Sequence, residues 1–201
     1  LFYTDVDFEK HWVVTRQKEK VTPEIFLDPN GFTKDGTTAL AWINLSKYGS
    51  LAADQNTEGG SDCRKVIVLS TATQNIIADT LTNIKFSGVS WKGNEGFYYS
   101  SYDKPVNASD LSAKTQYHKL FYHKLGTPQS SDKLIFGGEQ TPRRYIGGSV
   151  TEDQKYLVIS AANATYGNEL YLQDLTAPKS KIIPIITGFE FDTDLVESAD
   201  N

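Results

Sequence analysis

Cysteine occurs once, at Cys63, and methionine does not occur at all. The lone thiol excludes a disulfide framework and any metal centre built on cysteines. Arg64 and Lys65 beside it could favour the thiolate, but no histidine is near in sequence, so Cys63 reads as an incidental thiol. Long apolar runs are missing as well: none approaches the roughly 18 residues of a membrane-spanning helix. The beginning of the chain also lacks the basic start and apolar middle of a secretory leader. No membrane partner is expected, and a soluble protein of the cytoplasm or periplasm is. An excess of basic residues is absent too, with 20 Lys and Arg against 25 Asp and Glu and a net charge of -5. No basic stripe interleaves with aromatics, which excludes nucleic acid as a partner.

Recognisable catalytic chemistry is the last absence. The nucleophile elbow of an α/β hydrolase, G-x-S-x-G, does not occur. The nearest match, "GVSWKG", has Lys92 in place of the final glycine, so Ser90 reads as a structural serine. Glu190, Asp192, Asp194 and Glu197 form a carboxylate run without the spacing of a calcium loop, which reads as a solvated acidic edge. No metal and no cofactor are expected. Asn44, Asn107 and Asn163 open N-x-Ser/Thr triplets, which arise readily by chance.

What is present is a succession of short apolar or alternating runs separated by Gly, Asn, Asp, Ser or Pro: "ALAWINL", "KVIVLS", "GFYYSS", "KLFYHKL", "KLIFGG", "KYLVISA", "ELYLQDL" and "KIIPIIT". Helical periodicity is weak throughout. The chain is therefore all-β, built of antiparallel strands joined by short turns. The strands recur in groups of four. "WINLSKYGSLAAD", "GVSWKGNEGFYYS" and "GGSVTEDQKYLVIS" share one order, with Ser46, Trp91 and Thr151 in one place of the repeat. The longer third spacing falls in the insertion "DKPVNASDLSAKTQYH". A four-stranded unit recurring near 45 residues is the pattern of β-propeller blades. Three blades are expected, over residues 37–80, 81–140 and 141–187, with 188–201 starting another and 1–36 ending or capping an earlier one. A Greek-key sandwich is the competing architecture. Of the turns after each first strand, "KYGS" has Gly49 and "GNEG" has Asn94 or Gly96 for permissive dihedrals, whereas "EDQK" relies on Gln154.

The runs "EIFLDPN", "DGTTALAWINLS", "GGSD", "LTNIKFSGVSW", "LFYHKLGTPQSSDKL" and "ELYLQDL", taken in order, resemble the propeller of prolyl oligopeptidases. The resemblance implies a propeller that acts as a lid over a separate C-terminal α/β-hydrolase domain holding the Ser, Asp and His of a serine peptidase. No catalytic residue is then expected among these 201 residues, which read as a segment of a longer polypeptide. The resemblance implies short proline-containing peptides as substrates. It also implies roles for particular residues. Phe86 matches a phenylalanine lining the apolar part of the substrate pocket. Ile146 falls where another apolar pocket residue stands, and Thr165 where some members carry a reactive cysteine. Ala162 falls where some carry an arginine. Asp62 matches an acid that pairs across the domain gap with an arginine of the hydrolase domain. On this pattern His118 and His123 are strand residues of a hairpin, with no acid at triad-like or metal-like spacing. The oligopeptidase B subgroup and a non-catalytic propeller or sandwich binding module remain the alternatives. A segment cut from a closed ring is expected to self-associate through its uncovered blade faces.

Overall fold

In the computed structural model, described for residues 2–4, 14–16, 24–28, 31, 33, 37–58, 62–102, 117–139 and 144–196, strands account for nearly all regular structure. No helix among them is long and apolar enough to cross a membrane. Three short strands, β1 (Phe2–Thr4), β2 (Val14–Arg16) and β3 (Glu24–Leu27), form a first antiparallel sheet. Next come β4 (Thr38–Leu45), β5 (Leu51–Glu58), β6 (Cys63–Ser70) and β7 (Ile76–Lys85), paired in that order β4 to β5, β5 to β6 and β6 to β7. A second meander follows, made of β8 (Ser90–Lys92), β9 (Gly96–Ser101), β10 (Lys119–Lys124) and β11 (Lys133–Gly137). The third contains β12 (Tyr145–Val150), β13 (Tyr156–Ala162), β14 (Asn168–Asp174) and β15 (Ile183–Ile186). These are propeller blades. The first two are continuous through one pair, Ile84 with Ser101, at the end of β7.

The cores lie between the blades, and strand pleating explains how. Successive residues on a strand face opposite sides, so one strand feeds two cores. On β5, Ala52 packs with Phe26 and Leu69 towards the first sheet, while Ala53 packs with Val66, Leu81, Trp91 and Phe97 towards the second blade. On β9, Phe97 and Tyr99 join that core, whereas Tyr98 turns to Leu120, Ile146, Leu157 and Ile159 of the next. Every residue of β9 is buried. This is why "GFYYSS" is apolar and small throughout instead of alternating. Burying one such aromatic stabilises by about 1.5 to 3 kcal/mol.

Register refines several sequence expectations. The strand Ile76–Lys85 runs through residues 80 and 81, where one blade was expected to end, and its pairing with β6 assigns it to the first blade. Ser46 and Thr151 are equivalent: each donates its backbone N–H to the carbonyl of the residue five positions on, Leu51 or Tyr156, and accepts that residue's N–H on its side-chain hydroxyl. Trp91 is one place out of step, because it pairs with Phe97 as Leu45 pairs with Ala52 and Val150 with Leu157. Gln154 does supply the third turn, at φ +64, but the second turn uses Gly93, at φ +53, and neither Asn94 nor Gly96. Gly96 has another reason to be glycine: a Cβ there would lie 2.1 Å from the carbonyl oxygen of His123. Among the described residues, 188–196 form no strand. Asp192 and Thr193 instead bond to Gly167 and Asn168 at the start of β14.

Candidate functional site

The chain passes from the first blade to the second through Phe86, Ser87, Gly88 and Val89. Phe86 adopts φ +49, a left-handed conformation that bulky side chains rarely take, and it is 47% exposed. Its ring meets Tyr102 and Tyr145 edge to face, with centroids 6.3 and 5.9 Å away, and Lys85 Nζ stands 5.3 Å from its centroid. The next residue is pinned on three sides. Ser87 Oγ accepts the Ser100 N–H at 2.7 Å and donates to Gly88 O, and Ser87 O accepts from Arg64 Nη1 at 3.0 Å.

Behind this junction lies His118, which is fully buried and immediately precedes β10. Its Nδ1 accepts the Ile146 N–H at 2.8 Å, so the ring proton must sit on Nε2, which donates to Lys85 O at 3.0 Å. One imidazole thus bridges the end of the first blade and the first strand of the third. Tyr102 stacks on it at 4.4 Å. Burial, partly opposed by the Lys85 bond, pushes the imidazole down to about 4, so it is neutral at ordinary pH.

Beside Phe86 opens a cleft of about 400 Å³ lined by Trp42, Asn44, Gln55, Arg64, Phe86, Ser87 and Gly88. Asp62 lies at the same end of the blade: Cys63 pairs with Lys85, so Asp62 and Phe86 are the next residues on adjacent strands. It is exposed. Ala162 pairs with Tyr145, the ring that touches Phe86, and Thr165 lies in the exposed turn after β13. Ile146 departs from its expected role. Its side chain is 1% exposed and packs among Tyr98, Leu120, Leu157 and Ile159, so it lines no open pocket, and only its backbone N–H reaches towards the site.

The second histidine is a strand residue of the hairpin, as expected, on β10. His123 Nδ1 lies 2.8 Å from Asp132 Oδ1, and its Nε2 is 3.8 Å from Asp79 Oδ1. Two acids therefore flank it, although neither stands at a spacing that announces it. Tyr99 donates to the other oxygen of Asp132, and Asp79 accepts the Gly126 N–H of the hairpin turn. The side chains of His123, Asp79 and Asp132 are shut inside the blade, where the trio fastens a hairpin. Among the described residues no group of three or more His, Cys, Asp or Glu could hold a metal. Ser90 is structural as expected, its Oγ accepting the Val150 N–H between blades.

Sequence reasoning passed over Trp42 and Gln55, read His118 only as a strand residue, and weighed Arg64 only as a neighbour of Cys63. Strand alternation sends the Arg64 side chain to the opposite face from Cys63, into the cleft. One available signal was Trp42 followed two residues on by Asn44, an aromatic and an amide on one face of a first strand.

Four-stranded antiparallel meanders with their cores between them define a β-propeller, and an aromatic-walled cleft lies at one of its blade junctions. The chain belongs to the prolyl oligopeptidase family: residues 2–201 match the prolyl oligopeptidase N-terminal beta-propeller domain. It is 53% identical over 197 residues to a prolyl endopeptidase of Elizabethkingia miricola, covering 98% of this chain and 28% of that protein. It is 29% identical over 201 residues to prolyl oligopeptidase A of Amanita bisporigera, covering 87% of this chain and 26% of that protein. Among solved structures, one from a study of two prolyl endopeptidases and the role of inter-domain dynamics superposes with a TM-score of 0.86 at 28% identity, covering 99% of this chain and 28% of that one. The apo structure of prolyl oligopeptidase B from Galerina marginata shares the fold with a TM-score of 0.82 at 24% identity, covering 98% of this chain and 30% of that one. The chain thus spans little more than a quarter of the length of the curated relatives it matches.

Proposed function

We infer that this chain is the lid of a serine peptidase that cleaves short peptides after proline. The described residues offer no nucleophile with a base in reach, so the chemistry belongs to a C-terminal hydrolase domain of the same polypeptide. The propeller would cover that domain's cleft, admit short or flexible peptides, and reject folded proteins that cannot enter. The carrying observation is Phe86: an aromatic ring half exposed, in an unfavourable backbone conformation, braced by Tyr102, Tyr145 and the His118 bridge behind it. In this reading its exposed side stacks on a substrate ring or proline. Thr165, in a turn close in sequence to the Tyr145 partner Ala162, lies at the rim. Asp62, exposed beside Phe86, pairs with an arginine across the domain gap and aims that arginine at substrate carbonyls.

The test is to purify the whole polypeptide and measure hydrolysis of a ladder of peptides, each with one proline, against a folded protein carrying the same sequence in a rigid loop. Cleavage after proline that falls away with length and rigidity is expected. Absence of cleavage after proline in every peptide overturns the reading.

A further inference from the structure

Arg64 is a cation in a cleft without an anion. Its Nη1 donates to two neutral acceptors, Gln55 Oε1 at 3.1 Å and Ser87 O at 3.0 Å. Gln55 is itself fixed, being fully buried with its Nε2 donating to Asn44 Oδ1 at 2.7 Å. No carboxylate lines the opening. On β5, Asp54 faces the other side of the sheet by strand alternation, where Asn56 Nδ2 donates to it at 2.9 Å, and Asp62, exposed two residues before Arg64, lies outside the lining. Among the described residues only Nη1 of the guanidinium is bonded, which leaves the N–H groups of Nε and Nη2 available. The guanidinium carries its charge at any working pH. Two aromatic residues line the same cleft, Trp42 at 63% and Phe86 at 47% exposure.

We propose that this cleft is a carboxylate-binding subsite for peptides, in which Arg64 forks onto the carboxylate while Trp42 and Phe86 cover the apolar part of the same residue. The inference rests on the reading of the Phe86 end as a peptide site. The geometry selects the ligand class. A fork of two N–H groups matches the two oxygens of a carboxylate, and Gln55 and Ser87 hold that fork before the ligand arrives. A phosphate would call for further cationic donors, and no other lining residue is charged. A neutral ligand would leave the guanidinium partly desolvated and uncompensated. The carboxylate can be an Asp or Glu side chain or the peptide's own C-terminus.

The experiment uses the whole polypeptide and proline-free probes, so that no turnover intrudes. Three peptides are titrated by calorimetry: acetyl-Gly-Leu-Glu-Gly-amide, its Gln counterpart, and the Gln counterpart with a free C-terminal carboxylate. The Glu peptide is expected to bind roughly tenfold tighter than its Gln counterpart, a charge-assisted bond discounted for partial exposure. That gain should shrink with added salt and vanish in Arg64→Met, while the neutral peptide keeps its affinity. Should Arg64→Met fail to fold, Arg64→Lys, which keeps the charge and loses the fork, is expected to retain about two- to threefold of the preference. A gain for either carboxylate arm that the Arg64 variants reduce supports the proposal and identifies the source. Equal binding of all three peptides, or a gain untouched in the Arg64 variants, overturns it. A matching proline-containing peptide is assayed in parallel: carboxylate preference without cleavage rejects the peptidase reading and keeps the subsite, and cleavage without preference does the reverse.

Discussion

His118 and His123 stand five residues apart, and both are buried, at 0% and 1% exposure, yet they serve different regions of the molecule. The first bonds Lys85 and Ile146 and so joins three blades beside the Phe86 cleft. The second bonds Asp132, sits near Asp79, and closes a hairpin inside one blade. The difference shows where function enters a propeller. Contacts within a blade hold a sheet that would serve any propeller, whereas contacts between blades fix how the exposed groups at the junction stand relative to one another.

The largest way to break this comparison is to remove the bridge. His118→Leu leaves the Ile146 N–H and the Lys85 carbonyl buried and unpaired, at a cost of roughly 3 to 5 kcal/mol for the two together. His118→Gln, whose amide can donate and accept in the same sense, should recover much of it. In the whole polypeptide the Gln variant should change KM more than Tm. Denaturant melts and steady-state kinetics of the two variants check this.

Protonation tests the same bridge with a slightly smaller effect. The imidazole titrates near 6.5 when unfolded and near 4 when folded, so between those values the unfolded chain holds more protons. Stability from this group is therefore full above pH 6.5 and lost as pH falls towards 4, by about 3 kcal/mol in all. Asp54 has the opposite sign. Burial, only partly offset by the bond from Asn56, pushes its carboxyl up from 3.8 to about 7, so the folded chain holds the extra proton and stability declines as pH rises through that window. The two windows overlap and their slopes oppose, so between about pH 4 and 7 Asp54→Asn should leave stability rising with pH and His118→Gln should leave it falling, read from melts at a series of pH values.

The hairpin side gives a smaller and purely structural effect. Asp132→Asn weakens the bond to His123 and should cost roughly 1 to 3 kcal/mol of stability. No change in KM is expected, because nothing in that trio reaches the cleft. A change in KM as large as that of His118→Gln would erase the distinction between the two regions.

Much of this was legible in the sequence, and the exceptions have physical causes. The repeat of Ser46 and Thr151 was readable because both close turns of equal length, and Gln154 because no glycine was available to that turn. Trp91 fell out of step because its turn is one residue shorter, which spacing alone does not reveal. Asp79 comes to His123 from β7, 44 residues before it, and Asp132 from the residue just ahead of β11, nine after it, so only the folded hairpin brings the two acids together. Ile146 illustrates the converse. Its place in the chain matched, but alternation along β12 turns its side chain into the core.

The most direct test of the account is Phe86→Ala in the whole polypeptide, with kcat/KM on proline-containing peptides and Tm measured together. Loss of one aromatic wall of a half-open site should lower kcat/KM by an amount worth roughly 1 to 3 kcal/mol, with Tm nearly unchanged. An unchanged kcat/KM with a large fall in Tm would show that Phe86 is a packing residue and would contradict the placement of the site at this blade junction.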